Sequence, residues 1–167
     1  NEIKKLKRKK SIKNIGISIY DPKELKIVFS KFTPDIIQAP LNVFDTRILL
    51  SKYLRNRKKK IKLQVRSVFL QGLLLMNYNE IPLKFKKWSN IFMDWHNWLK
   101  KNNINAVQGC LSFINSIDDI DKAVVGVQNL AQLKQLINYS KNKDIKSFPD
   151  LFSNDQNLID PSKWSSL

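Results

Sequence analysis

Four short apolar segments, each ending in small or polar residues, constrain the fold of this chain more than any other feature. They are Ile15 to Ser18, Asp35 to Gln38, Ile61 to Ser67 and Ala123 to Gln128. The stretches between them carry apolar residues at helical spacing. Alternation of strands with helices is typical of parallel strands joined by crossover connections. The sequence therefore predicts an α/β fold with four βα units.

The segment from 65 to 75, Val-Arg-Ser-Val-Phe-Leu-Gln-Gly-Leu-Leu-Leu, is the most informative of these strand ends. An apolar strand runs there directly into a polar pair and a glycine. Because the carboxyl ends of parallel strands meet at one edge of the sheet, the residues that end the strands are expected on one ligand-facing rim.

Two helices are predicted between the third and fourth strands. One presents an aromatic face that includes Trp88, Phe92 and Trp95, and the other runs from Asn105 to Ile117. Helical spacing of aromatic residues indicates core packing rather than base stacking. The single cysteine, Cys110, is expected to be a buried thiol, and one cysteine excludes an intrachain disulfide.

The formal net charge of +16 and the isoelectric point near 10.0 raise the alternative of a basic module that binds polyanions such as nucleic acid. Lysine dominates the basic residues, whereas proteins that read bases rely on arginine forks. The basic clusters at Lys4 to Lys10 and Arg55 to Lys60 precede predicted strands, which favours solvated helix ends. No motif specific for nucleic acid supports the alternative.

The order of four sequence segments resembles the aldo/keto reductase family. These are Ile15-Gly16-Ile17-Ser18, Gln38-Ala39-Pro40-Leu41-Asn42, the segment from 66 to 75, and Val125-Gly126 with the helix that follows. The resemblance implies a (β/α)8 TIM-type barrel, of which this chain would form a half barrel with strands five to eight. A complete barrel takes about 250 residues, and 167 residues fit half of one.

In this resemblance Ser18 and Gln38 hold the carboxamide of a nicotinamide cofactor. A nicotinamide ring is held by neutral polar groups while the cofactor supplies the chemistry. The family's asparagine after the serine is Ile19 in this chain, so one carboxamide contact is missing. Arg66 stands where many relatives place an aromatic residue on the nicotinamide, and its guanidinium group can stack or pair with a phosphate.

The same resemblance assigns the rest of a cofactor site to the last two strand ends. Ser67, Phe69 and Gly72 would approach the pyrophosphate, and Gly126, Gln128 and Gln132 would lie at a helix start that favours phosphate. Gln135 matches the family's acidic adenine-contact position. Because the helix start carries neutral residues, the choice between NAD and NADP stays open. The ordinary alternatives are loop hydroxyls, turn glycines and surface amides.

No catalytic residue is predicted in this chain, because the family's tyrosine, lysine, aspartate and histidine lie on strands two to four. Tyr20 matches an aromatic position after the first strand rather than the catalytic tyrosine. The only histidine, His96, is expected on a helix surface. No histidine and cysteine spacing predicts a metal site. The resemblance implies reduction of a carbonyl substrate, with the N-terminal half of the barrel required for activity.

The chain opens with Asn1 and a lysine-rich stretch that leads directly into the first strand, so we expect an N-terminally truncated domain over 1–167. Residues 144–167 are expected to form a C-terminal tail. No run approaches the length of a membrane span and no signal peptide is recognisable, so a cytoplasmic setting is expected. A half barrel exposes two strand edges, and a self-associating structural role is a third hypothesis.

Overall fold

A single parallel sheet of four strands, in the order β1-β2-β3-β4, organises the chain. The computed structural model describes residues 2–55, 61–141, 145 and 147–166. The strands are β1 (Gly16–Ser18), β2 (Ile36–Pro40), β3 (Lys62–Arg66) and β4 (Lys122–Ala123). Neighbouring strands are consecutive in sequence, so every connection is a crossover, as the alternating pattern predicts.

One helix precedes the first strand, and the others lie in these crossovers and after the last strand. The α-helices are α1 (Glu2–Arg8), α2 (Glu24–Lys31), α3 (Lys52–Arg55), α4 (Ser89–Lys101), α5 (Ala106–Asn115), α6 (Leu130–Ser140) and α7 (Gln156–Ile159). Short 3₁₀ segments cover Arg47–Leu50, Leu70–Leu75, Tyr78–Glu80, Leu83–Trp88 and Pro161–Ser166. The predicted helix between the second and third strands is therefore only a 3₁₀ turn followed by one turn of α-helix.

The two faces of the sheet differ in burial. Ile37, Ala39, Leu63 and Val65 are at most 1% exposed and belong to the core. Successive residues of a strand point to opposite faces, so the residues between them lie on the other face. There, a register row of Ser18, Gln38, Gln64 and Lys122 crosses all four strands. This second face is partly exposed and polar.

Helices α4 and α5 meet closely at Gly109. Phe92, Trp95 and Leu99 are buried on α4, which confirms the core assignment of the aromatic face. On α5, a Cβ atom at Gly109 would lie 2.7 Å from Leu99 Cδ2 and 2.8 Å from Trp95 Cη2. Cys110 is also buried, and this burial raises the pKa of its thiol far above the ordinary range.

The sequence also predicts three helix starts, with Asp45-Thr46 and Asn129 as possible caps and Pro22 at the first helical position. Their outcomes differ. Asn129 caps α6, as predicted, by accepting a hydrogen bond from Gln132 N at 2.9 Å. Pro22 is not the first residue of α2, because that helix begins at Glu24. Asp45 does not begin a long helix, because its carboxylate pairs instead with Arg47.

The predicted fourth strand is shorter than expected. Only Lys122–Ala123 pair with β3, and residues 124–128 continue as irregular backbone at the carboxyl edge of the sheet. Val124 N still donates to Val65 O, at 2.7 Å, before the chain leaves the sheet. The remaining valines are therefore free to line a surface rather than to extend the strand.

The structure describes the two basic clusters and the C-terminal segment only in part. In α1, Lys7 pairs with Asp35, whose pKa is lowered by hydrogen bonds from Lys7 and from Ile15 N. In the second cluster, residues 56–60 and the side chain of Arg55 lie outside the described residues. The same holds for 144, where the expected tail begins. Leu158 and Ile159 of α7 are buried in the core, so this segment packs on the domain.

Candidate functional site

A cleft of about 650 Å³ opens at the carboxyl edge of the sheet. Its walls are the end of β3, the 67–75 segment, the connection from β4 to α6, the first half of α6, and one residue of α5. Most of the residues singled out from the sequence lie in this lining, namely Arg66, Ser67, Phe69, Gly72, Gly126, Gln128, Gln132 and Gln135. The fold thus brings residues from positions 66–72 and 126–135 together around one space.

Ser18 and Gln38 lie elsewhere on the same side of the sheet. They are register neighbours on β1 and β2, and neither lines the cleft. Gln64 continues their row on β3, next to Gln38. Sequence reasoning did not single out Gln64, although its alternation with buried Leu63 and Val65 was a usable signal.

The backbone of the 67–75 segment contains an unusual run of left-handed residues. The φ angles are 57° at Ser67, 47° at Leu70, 54° at Gln71 and 87° at Gly72. Only glycine adopts this region without steric cost, and such strain tends to collect at functional sites. Gln71 also lines the cleft and was not predicted as a site residue. Changes between right-handed and left-handed backbone can turn amide groups towards a common anion.

Arg66 is held in place at the end of β3 by three contacts. Its guanidinium carbon lies 4.3 Å from the centre of the Tyr20 ring. One terminal nitrogen donates to Ile19 O at 3.3 Å, and the other donates to Ser67 Oγ at 3.3 Å. Arg66 is the one charged side chain in the described lining of the cleft. The lining therefore carries positive charge without a carboxylate to neutralise it.

A second polar group, which we call the rim clamp, consists of Asn42, Asp45 and Arg47. Arg47 donates from Nε and Nη2 to the two oxygens of Asp45, at 2.8 and 2.9 Å, and Asp45 is 1% exposed. Hydrogen bonding to Asp45 raises the pKa of Arg47. Asn42 Oδ1 accepts from Asp45 N, while Asn42 Nδ2 donates to Ser67 O at 3.1 Å. The clamp therefore joins the end of β2 to the 67–75 segment.

The first turn of α6 forms part of the cleft and is internally capped. Gln128 N donates to Gln132 Oε1 at 2.8 Å, and Gln132 N donates to Asn129 Oδ1. The first amides of an α-helix have no acceptor within the helix. Capping therefore leaves the amides of Leu130 and Ala131 as the donors of this turn. The positive end of the helix dipole also lies there.

A second cavity of about 390 Å³ adjoins the cleft and shares Leu75, Val107 and Gln135 with it. His96 lines this cavity and packs edge-on against the Tyr78 ring, with ring centres 5.9 Å apart. His96 lies on the surface of α4, as expected, but its side chain is half-buried rather than fully exposed. Desolvation lowers the pKa of His96.

Two further features are absent from the described part of the chain. No group of three histidine, cysteine, aspartate or glutamate side chains there is placed to hold a metal ion. The helices among the described residues are all too short or too polar to span a bilayer. The chemistry available at the cleft is therefore that of one guanidinium group, a hydroxyl group, neutral amides and backbone donors.

Four parallel strands with crossover helices, and a polar cleft at the carboxyl edge, define a half barrel of the (β/α)8 class. The sequence model of the aldo/keto reductase family matches residues 1–151. The chain belongs to the aldo/keto reductase family. No curated protein sequence matches it significantly.

Solved structures share this fold at low sequence identity. The holo form of aldo-keto reductase AKR11C1 from Bacillus halodurans matches with a TM-score of 0.61 and 15% identity, over 83% of this chain and 48% of that chain. Glycerol dehydrogenase AKR11B4 from Gluconobacter oxydans matches with a TM-score of 0.53 and 16% identity, over 89% of this chain and 55% of that chain. The chain thus spans about half the length of these structures.

Proposed function

We propose that this chain is the cofactor-binding half of an NAD(P)-dependent oxidoreductase that reduces an aldehyde or ketone. The observation that carries the proposal is the cleft, which gathers Arg66, the 67–75 segment and the first turn of α6 in one place. Membership of the aldo/keto reductase family supports the reaction class. The proposal also assigns strands five to eight of the barrel to this chain.

The donor set of the cleft fits a nicotinamide dinucleotide. Such a ligand carries negative phosphates, and the described lining offers a positive guanidinium group and no carboxylate. Neutral glutamine amides and the free amides of a helix start are suitable partners for phosphate and ribose oxygens. The left-handed residues Gln71 and Gly72 bring backbone close to the same space.

Each residue has a distinct role in this proposal. Ser18 and Gln38 orient the carboxamide of the nicotinamide ring, and Arg66 stacks on the ring or pairs with phosphate. Ser67, Phe69, Gly72 and Gly126 border the pyrophosphate. Gln128 and Gln132 lie at the helix start, also beside phosphate, and Gln135 contacts the adenine. When bound, the reduced cofactor supplies the hydride. Residues outside this chain supply the proton to the carbonyl oxygen, so the 167-residue chain alone binds cofactor without turnover.

Titration of the 167-residue chain with NADH and NADPH, followed by nucleotide fluorescence, tests this proposal. We expect saturable binding of at least one cofactor and no carbonyl reduction by the chain alone. Arg66→Ala should weaken binding by roughly tenfold, because a charge-assisted contact contributes about 1.5 kcal/mol. Lys9→Ala, which removes an exposed cation after α1, is the matched control and should leave the affinity unchanged.

A salt series separates this proposal from the basic-module alternative. Binding to polyanions through surface lysines falls steeply as salt rises. We expect cofactor affinity to fall only slightly with salt, because few charges are involved. Tight binding of single-stranded nucleic acid that is lost with salt, together with no binding of either cofactor, would overturn the proposal.

A further inference from the structure

Arg47 lies outside the cleft, yet its contacts lead to Arg66 inside it. Arg47 Nη2 is 3.5 Å from Tyr20 O, and Nη1 is 3.5 Å from Asp21 Oδ2. The Tyr20 ring lies against the guanidinium group of Arg66. One arginine therefore holds the backbone of the residue whose ring covers the other arginine.

Burial makes the position of Arg47 well defined. Its side chain is 12% exposed, and its two bonds to Asp45 have the planar fork geometry that arginine forms with a carboxylate. Asn42 holds the backbone turn that leads to Asp45, because Asn42 Oδ1 accepts hydrogen bonds from Phe44 N and Asp45 N. Tyr20 is 58% exposed, so packing alone does not restrain its ring. Arg47 and Glu24 together restrain the residues after β1, because Tyr20 N and Asp21 N also donate to Glu24 Oε1, at 2.8 and 2.7 Å.

A closed circuit of contacts results at the rim. It runs from Arg47 to Tyr20, from Tyr20 to Arg66, from Arg66 to its neighbour Ser67, and from Ser67 through Asn42 back to the turn that carries Asp45. Three strand ends are joined in this way. Geometry that is fixed before binding reduces the free energy spent on ordering side chains when a ligand binds.

We propose that Arg47 is a positioning residue for the cleft, which fixes Tyr20 and through it the plane of the Arg66 guanidinium group. The inference rests on the proposed function, because it assumes that Arg66 contacts the cofactor. Arg47 itself lines no part of the cleft. Any effect of Arg47 on binding is therefore indirect, and the proposal assigns it to Tyr20 and Arg66 rather than to the link from Asp45 through Asn42 to Ser67.

A double-mutant cycle on NADH affinity tests the inference in the full 167-residue chain. Arg47→Lys keeps the charge but removes the fork, and it should weaken NADH binding about three- to tenfold, the effect of roughly one hydrogen bond. The same substitution in an Arg66→Ala background should change affinity by less than about twofold, because the two positions act as one unit. Tyr20→Leu, at an exposed site, should reproduce the loss without breaking the Arg47 to Asp45 pair.

Controls distinguish a positioning role of Arg47 from a general effect of Arg47 on folding. Lys87→Ala removes an exposed ion pair with Asp155 and should leave NADH affinity unchanged. Circular dichroism and thermal unfolding establish the temperature at which every variant is folded, and titrations are made there. The inference would be overturned if Arg47→Lys weakened NADH binding equally in the parent chain and in the Arg66→Ala background. It would also be overturned if Tyr20→Leu left the NADH affinity unchanged. Failure of the parent chain to bind NADH would instead overturn the proposed function.

Discussion

At the scale of single residues, the cleft depends on backbone conformations that most side chains avoid. Four residues between 67 and 72 have positive φ angles, and only one of them is glycine. Each left-handed residue with a Cβ atom costs about 1 kcal/mol or more. The surrounding contacts, including the bond from Asn42 to Ser67 O, offset this cost. Stability and site geometry are therefore coupled in this segment.

Replacement of Gly72 by alanine should destabilise the chain by about 1 kcal/mol. A Cβ atom at Gly72 meets nothing within 4 Å, so the effect comes from its φ of +87° alone. Gly126 is the matched control, because its Cβ position is equally open and its φ lies outside the left-handed region. Gly126→Ala should leave stability unchanged or raise it by up to about 1 kcal/mol in urea unfolding. Equal effects of the two substitutions would contradict this explanation.

The free energy of unfolding should depend on pH through His96, and replacement of this residue should remove that dependence. Burial lowers the pKa of His96 in the folded chain below the value of 6.5 expected when unfolded. The unfolded chain therefore takes up a proton more readily, so stability present above pH 6.5 is lost as the pH falls through the folded pKa. Urea unfolding between about pH 7.5 and 5.5 measures this change.

The matched variant for this test is His96→Gln, which keeps a polar side chain without an ionisable group. No other histidine titrates in that interval. The pKa of Asp35 and that of Asp155 are both lowered, chiefly by hydrogen bonds from Lys7 and Lys87 respectively, so these carboxylates act only at lower pH. If the free energy of unfolding changed equally with pH in the parent chain and in the variant, burial of His96 would not be the cause of the pH dependence.

At the scale of elements, the close approach of α4 and α5 shapes one wall of the cleft. Val107 of α5 lines both the cleft and the adjoining cavity, so the position of this helix affects both. Gly109 is the point of contact with α4, where the Trp95 and Leu99 side chains fill the space a Cβ atom would need. Buried aromatic rings yield little space, since protein interiors are densely packed.

Gly109→Ala should therefore destabilise the chain by about 1–3 kcal/mol through overpacking. Helix propensity alone predicts the opposite sign, since alanine is favoured over glycine by about 1 kcal/mol in a helix interior. Gln108→Ala in the same helix is the control, and it should change stability by less than about 0.5 kcal/mol. A more stable Gly109→Ala chain would show that α4 and α5 separate easily.

Element types were easier to predict than the details of the site. The strand and helix alternation, the Asn129 cap and the rim position of Arg66 follow from local patterns and from strand direction. The length of β4 did not, because Val124 to Val127 have high strand propensity but leave the sheet to line the cleft. Likewise, nothing in the local sequence showed that Asp45 would pair with Arg47 instead of starting a helix.

Long-range placement explains the other differences. His96 lies opposite Tyr78 only because α4 turns back over the 3₁₀ segment Tyr78–Glu80. Gln71 enters the cleft through a left-handed conformation that residue type alone does not specify for glutamine. Ser18 and Gln38 were predicted to act together, and they are register neighbours. Contact of these two side chains with a cofactor remains a prediction.

At the scale of the whole molecule, the net charge opposes self-association, whereas the open edges of the sheet favour it. In the described sheet, β1 and β4 each pair on one side only, and unpaired strand edges favour association. The formal net charge of +16 opposes association at low ionic strength. Sedimentation velocity should therefore show more self-association at about 0.5 M salt than at about 0.02 M, where screening is weak. Association that decreases with salt would indicate contacts between opposite charges instead.

The central claim is that the cleft at the carboxyl edge of the sheet binds a nicotinamide dinucleotide. The most direct test is amide chemical-shift mapping by NMR as NADH is added to the 167-residue chain. The claim predicts saturable shifts at residues 66–75 and 124–132, with those of α1 unchanged. Shifts confined to the basic residues of α1, or no saturable shift at the cleft, would contradict it.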